Sequence, residues 1–352
     1  TGDPVTFTVH GSKSLDHATG LTPGSIAEKF TFTLSAETAG APMPAKTTAK
    51  NDAEGNIAFG EITYRLSDLE GVTAAADGSR TKTFRYKVTE SGTAAGVTND
   101  KASGKTFAVT LKDDGKGHFT VNSDVKEGAL FSFVNTYSVG ELSSSITDQI
   151  HVNKTLTGRE PKAGEFQFEL LEDGNVVAHG TNDADGKVSF DPVKYTTPGS
   201  HMYTVREVEG TAAGVTYDTQ EYMIRTQVTD QGNGSLKAEH RLLTLENDEW
   251  KPAEQQNIRF TNKYEAKGTA VSLEAVKRLT GKDLKDGQFT FQLKDGSGAV
   301  IDEAANDKDG VIAFKKLSFD KTGTYRYTIS EVNDQQKDIK YDDSEKTVVI
   351  TV

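Results

Sequence analysis

The sequence predicts an all-β protein made of tandem sandwiches, and three observations carry that prediction: period-2 patterning, glycine-rich turns and internal repetition. Val5-Thr6-Phe7-Thr8-Val9, Lys29-Phe30-Thr31-Phe32-Thr33-Leu34 and Thr106-Phe107-Ala108-Val109-Thr110-Leu111 alternate apolar with polar side chains, as half-buried strands do. Helical spacing is nearly absent. Between the runs lie Asp113-Asp114-Gly115-Lys116-Gly117 and Asp173-Gly174-Asn175, residues that supply the backbone conformations of tight turns. Short strands punctuated this often read as sandwiches.

The repetition is written in the residues themselves. Gly92-Thr93-Ala94-Ala95-Gly96-Val97-Thr98 recurs letter for letter at Gly210 to Thr216. Asn51-Asp52-Ala53-Glu54-Gly55 returns as Asn182-Asp183-Ala184-Asp185-Gly186 and Asn306-Asp307-Lys308-Asp309-Gly310, and Lys154-Thr155-Leu156-Thr157-Gly158 returns as Lys277-Arg278-Leu279-Thr280-Gly281. Looser similarity at Lys13-Ser14-Leu15 completes three copies. The polar stretches Ser138 to Thr147 and Glu265 to Gly268 show no strand pattern and are expected to be linkers. They divide the chain into 1–138, 139–265 and 266–352, a string of beads, with extra sequence near 69–81 in the first.

Composition removes several functions. The chain of 352 residues carries a formal net charge of −12, the wrong sign for binding a phosphate backbone, so nucleic acid is not an expected partner. No uninterrupted apolar stretch approaches the roughly 18 residues of a membrane helix. Zero Cys excludes disulfides, thiolate metal sites and Cys nucleophiles. The seven His show no metal spacing, and no cofactor is expected. The Asn-Asp-x-x-Gly segments lack the twelfth-position Glu of a calcium loop and read as hairpin turns. No secretory signal opens the chain, and Thr1 to Pro4 read as the start of a processed chain or fragment.

Three polar residues per copy fall in the apolar phase. Every second side chain of a strand faces the same way, so Val5, Phe7, Val9, Gly11, Lys13 and Leu15 share a face. Ile150, Val152, Lys154, Leu156 and Val271, Leu273, Ala275, Lys277, Leu279 repeat the placement. Closing strands give Phe131, Phe133, Asn135, Tyr137 and Ile258, Phe260, Asn262, Tyr264. A middle strand of each copy ends on an inward Glu: Glu90, Glu207 and Glu331.

Burying a charge costs several kcal/mol, so such residues are expected to lie together. Desolvation lowers a Lys pKa and raises that of a Glu, and the proton can then pass from one to the other. The neutral amine can attack the Asn side-chain carbonyl while the acid donates to the developing oxyanion and shuttles protons until ammonia leaves. A Lys–Asn isopeptide bond results. Fixed placement supplies roughly 7–11 kcal/mol of the barrier, which is enough for one turnover without a cofactor. The bland reading is that each Lys snorkels to water and each Glu and Asn sits at a wet strand end. Recurrence of the whole set in two copies favours the cross-link.

At these residues the sequence resembles the pilin-type isopeptide-linkage domains of Gram-positive surface proteins, relatives of the collagen-adhesin B-type sandwiches. Lys154 to Gly158, Gly164-Glu165-Phe166-Gln167-Phe168-Glu169-Leu170, Tyr203-Thr204-Val205-Arg206-Glu207 and Phe260-Thr261-Asn262-Lys263-Tyr264 carry the likeness, which covers nearly the whole chain. The resemblance implies three tandem Ig-like β-sandwich domains, with Lys154 and Asn262 bonded and Glu207 as catalyst. Lys13, Asn135 and Glu90 would take those roles in the first copy. Lys277 and Glu331 have no matching Asn before Val352, so the third sandwich is expected to be truncated before its closing strand and Lys277 to be unpaired.

Bonds joining the first strand of a copy to its last would stabilise by about 4–5 kcal/mol through the unfolded state, by analogy with disulfides closing loops on the order of 100 residues. They would also withhold on the order of 400 Å of chain per domain from extension, at about 3.4 Å per residue. A stalk or shaft segment of a cell-wall-attached surface protein is therefore expected, with neighbouring domains of the same protein as partners and no enzymatic turnover. The alternatives are a ligand-binding adhesin region that uses the 69–81 insertion to contact a host glycan or matrix protein, and a polysaccharide-active enzyme, for which no specific carboxylate pair speaks. Neither a Tyr-Pro-Lys pilin motif nor a Leu-Pro-x-Thr-Gly sorting signal is present.

Overall fold

The computed structural model describes residues 3–352; of the expected processed start, Thr1 and Gly2 lie outside the described residues. Strands and loops account for nearly all of the chain, and two single-turn 3-10 helices, Leu66–Leu69 and Ile146–Asp148, are the helical elements among the described residues. Contacts gather the chain into two compact units. One comprises Thr1–Thr155, Pro161–Glu209 and Asp218–Phe260, the other Leu156–Glu160, Gly210–Tyr217 and Thr261–Val352.

The first repeat, in the first unit, consists of β1 (Val5–His17), β2 (Phe30–Ala36), β3 (Thr48–Lys50), β4 (Asn56–Tyr64), β5 (Arg80–Gly92), β6 (Val97–Thr98), β7 (Gly104–Asp113), β8 (Phe119–Ser123) and β9 (Ser132–Tyr137). They form a four-stranded sheet in the order β4-β1-β9-β6 and a five-stranded sheet in the order β3-β2-β5-β7-β8. First and last strands, β1 and β9, run parallel, with Lys13 opposite Phe133 and Leu15 opposite Asn135. The inward rows of both sheets meet in one aromatic core, where the rings of Phe32 and Phe133 lie 5.3 Å apart and Val9, Phe30, Ile57, Tyr64, Tyr86 and Val88 are fully buried. Period-2 patterning thus converts directly into two apolar faces. The 3-10 turn Leu66–Leu69 leads into the insertion, and its Leu69 plugs the core.

In the second repeat a seven-stranded sheet runs from Val188–Phe190 to Glu249–Pro252, with Gln167–Glu172, Gly199–Glu207, Glu221–Asp230 and Leu236–Glu246 among its inner strands. The Asp173-Gly174 turn joins Glu172 to its partner Asn175 with both turn residues at positive φ, 49° and 78°, the geometry that matches strand twist. One expectation fails here. The Ser-rich stretch is not a bare linker: Leu142–Ser144 is a strand paired with Val193–Tyr195, and Ser144 and Ser145 are buried. Ser144 hydrogen-bonds His240 Nε2 at 2.9 Å, and the Ser145 hydroxyl donates to Phe190 O at 2.8 Å. Hydroxyls that satisfy their own bonds can enter a core without alternating with apolar residues.

In the second unit a four-stranded sheet orders Val300–Ala305, Thr290–Lys294, Thr324–Glu331 and Lys346–Thr351, and two further pairs join Thr269–Val271 to Leu317–Phe319 and Glu274–Val276 to Val311–Ala313. Its core is small, centred on Leu293, Ile312, Phe314 and Ile329.

Candidate cross-linking sites

Inward polar residues from opposite sheets converge. In the first repeat Lys13 (β1) and Asn135 (β9) belong to one sheet and Glu90 (β5) to the other, where it pairs with Phe32. Lys13 Nζ lies 2.8 Å from Glu90 Oε1, with the two side chains 0% and 3% exposed. Apart from this ion pair, Nζ is a buried polar atom without a hydrogen-bond partner among the described residues. Burial pushes the Lys13 pKa down, against the pull of Glu90, so the environment favours the neutral amine.

Both ends of the Asn135 amide are held. Its Nδ2 donates to Glu90 Oε1 at 3.2 Å, and its Oδ1 accepts the Asp100 N–H at 2.8 Å. Lysine and amide nitrogen therefore share one carboxylate oxygen. The sequence reading had the Glu at the carbonyl oxygen; here a backbone N–H occupies that position and Glu90 faces the leaving nitrogen. Asp100 is itself pinned. Burial works against its charge, but donation from Val134 N–H (2.9 Å) and Lys105 Nζ (2.9 Å) prevails and holds its pKa down to about 2.

The second repeat repeats the lysine–glutamate contact with both side chains fully buried: Lys154 Nζ donates to Glu207 Oε2 at 2.7 Å. Burial again lowers the Lys pKa, opposed by Glu207. Asn262, in strand Asn257–Tyr264, is 0% exposed. In the third repeat Lys277 Nζ donates to Glu331 Oε1 at 2.5 Å, with side chains 10% and 2% exposed. The other oxygen of Glu331 accepts the Asp342 N–H at 3.1 Å, and a cavity of about 290 Å³ bounded by Ala275, Phe291, Ile329 and Lys346 opens beside the pair.

Sequence reasoning missed what holds each lysine. Phe30, Phe166 and Phe289 place their rings 4.8, 4.7 and 4.4 Å from Nζ of Lys13, Lys154 and Lys277. The Asn-Asp-x-x-Gly segments, read as plain turns, fix both members of that contact. Asn182 is buried; its Oδ1 accepts the Phe166 N–H at 2.8 Å, and its Nδ2 donates to Lys162 O (2.9 Å) and Asp183 O (2.8 Å). Asn51 and Asn306 make the same set with Phe30 and Phe289. The glycine closing each motif accepts the lysine's own N–H: Lys13 to Gly55 O (2.7 Å), Lys154 to Gly186 O (2.6 Å), Lys277 to Gly310 O (2.7 Å). A Cβ at these glycines would sit 2.1, 2.1 and 2.3 Å from the lysine carbonyl oxygen, so only glycine permits the approach. The signal was available in the threefold Phe-x-Phe at Phe30, Phe166 and Phe289, each in step with its Asn-Asp motif.

A model of the Spy0128-like isopeptide-containing domain, FctA, matches residues 9–138, 150–265 and 273–352. The chain belongs to this family. Among solved structures it is similar to the Bacillus anthracis TIE protein (16% identity, TM-score 0.23), covering 100% of this chain and 56% of that one. It is also similar to the T-13 major pilin of Streptococcus pyogenes (19%, 75% of this chain, 99% of that one, TM-score 0.24) and to the T6 backbone pilin of serotype M6 S. pyogenes (9%, 98% and 80%, TM-score 0.19). With scores this low, overall superposition carries no argument, and membership rests on the family model. No curated protein matches.

Proposed function

We propose that the chain is a load-bearing shaft or stalk segment on a Gram-positive cell surface, its repeats occupying 1–138, 139–265 and 266–352. Covalent bonds between Lys13 and Asn135 and between Lys154 and Asn262 would rigidify it. The observation that carries the reading is Glu90 Oε1, approached by Lys13 Nζ and by the amide nitrogen of Asn135 at once. Family membership and the buried Lys154–Glu207 contact support extending it to the second repeat.

The geometry suggests the following steps. Glu90 takes a proton from Lys13, and the neutral Nζ attacks Asn135 Cγ, forming an N–C bond while charge moves onto Oδ1. The Asp100 N–H, already 2.8 Å from that oxygen, stabilises the charge as an oxyanion donor would. Glu90 then protonates Nδ2, the Cγ–Nδ2 bond breaks, and Glu90 passes the remaining surplus proton from Nζ to the released ammonia, which departs as ammonium. Glutamate ends as the carboxylate it began as, so no cofactor is needed. Glu207 would act likewise for Lys154, and Glu331 for Lys277 once a strand carrying an Asn entered beside it. No helix among the described residues is long and apolar enough to cross a membrane. Tandem mass spectrometry of a proteolytic digest tests the assignment: branched peptides joining Lys13 to Asn135 and Lys154 to Asn262 are expected, and unmodified peptides at all four positions would reject it.

A further inference from the structure

The turn between strands Glu221–Asp230 and Leu236–Glu246 does not end in solvent. It meets the far end of the first repeat within the same compact unit. The Tyr137 hydroxyl donates to Asp230 Oδ1 at 2.6 Å and accepts the Gly234 N–H at 3.0 Å. Thr22 N–H donates to Asp230 Oδ2 at 2.8 Å, Gly24 N–H to Gly232 O at 2.9 Å, and Gly140 N–H to Gly234 O at 2.9 Å. Backbone meets backbone: a Cβ on Gly96 or Gly234 would lie 2.5 Å from the other's Cα, and one on Gly24 would lie 2.8 Å from Gly232 O. The Asp230 carboxylate also accepts the Gly232 N–H at 2.9 Å, which shapes the turn before it docks.

We infer that the end of the first repeat, formed by Thr22, Gly24, Gly96 and Tyr137, is a socket for the Asp-x-Gly-x-Gly turn of the second, and that this joint locks the two repeats into one rigid body. Relative motion is the default for linked domains, and a Ser-rich connection alone would permit it. Four hydrogen bonds made by Thr22, Gly24 and Tyr137 of the first repeat, with glycines at the closest approaches, oppose it. Burial and the bond to Asp230 push the Tyr137 pKa up, as expected of a hydroxyl enclosed against a carboxylate.

The first repeat carries the same turn, Asp113-Asp114-Gly115-Lys116-Gly117, with Gly115 and Gly117 at positive φ like Gly232 and Gly234. There the insertion takes the place of a neighbouring repeat. Arg80 binds Asp113 at 2.8 Å, and a Cβ on Gly115 would meet Gly78 O at 2.7 Å. Close backbone packing against a second loop is thus a recurring use of this turn.

The test exploits the lack of native cysteine. Spin labels on Glu61→Cys and Glu221→Cys, one per repeat, report the distance distribution in the full chain by pulsed electron spin resonance. A single narrow peak is expected. Adding Gly24→Leu and Tyr137→Phe, which wedge and unhook the socket, should make the distribution about twice as wide, because free linkers restore the default motion. Should the wedge variant fail to fold, Tyr137→Phe alone removes one hydroxyl and should still broaden the peak. A broad or multiple distribution in the parent, or unchanged width in the folded variants, overturns the inference. Each of these variants should weigh less than its own sequence mass by the same two molecules of ammonia, so failure of the joint is distinguishable from failure of the cross-link.

Discussion

Replacing Gly186 by alanine isolates the lysine cradle from the rest of the fold. Gly186 holds φ +82°, and a Cβ there would lie 2.1 Å from the carbonyl oxygen of Lys154, so the strand carrying Lys154 must retreat. The left-handed backbone costs about 1–2 kcal/mol, and the Lys154 N–H bond to Gly186 O, 2.6 Å long, is worth about 1 kcal/mol more. A misplacement on the order of 1 Å costs a positioned reaction about 100-fold in rate. Gly164→Ala is the control: φ is +73°, but nothing lies within 4 Å of the added carbon, so it carries the backbone penalty of about 1–2 kcal/mol without the collision. Intact mass at intervals after a pulse of synthesis gives the rate of ammonia loss. Gly164→Ala should follow the parent while Gly186→Ala lags by about two orders of magnitude. Equal rates for the two variants would refute the cradle.

Other substitutions probe the same assembly. Asn182→Ala strands a buried N–H and two carbonyls and should cost about 2–4 kcal/mol, read as a lowered guanidinium midpoint at unchanged slope. Phe166→Ala removes the fully buried ring beneath Lys154 and should cost about 3–5 kcal/mol in the same titration. The pH dependence follows from His240, fully buried between the Ser144 and Thr226 hydroxyls with Asp148 nearby. Burial lowers its pKa below the ordinary 6.5, and Asp148 opposes this only in part. The unfolded chain then binds the proton first, so stability is full above 6.5 and falls as the pH drops below that value, by at most about 1.4 kcal/mol per pH unit. Urea titrations at pH 7.5 and 5.5 should show this loss in the parent and a smaller one in His240→Asn.

Strands and their inward faces were legible because alternation survives in single segments: Ile150, Val152, Lys154 and Leu156 are all buried as the phase requires. The same phase placed Lys13 beside Glu90 and Lys154 beside Glu207. The Ser144–Ser145 segment escaped because its burial depends on partners such as His240, nearly a hundred residues away. The Asn-Asp-x-x-Gly motif was visible, but a turn signature says nothing about what its side chain reaches. Only the fold brings Asn182 to Phe166 and Gly186 to Lys154. The Asp100 N–H at Asn135 was beyond any sequence pattern, since a backbone donor has no side chain to mark it.

Intact mass of the full chain tests the central claim most directly. The parent should weigh less than its sequence by two molecules of ammonia, Glu207→Ala by one, and Glu90→Ala with Glu207→Ala by none. A parent at full sequence mass, with its fold intact, would contradict the account.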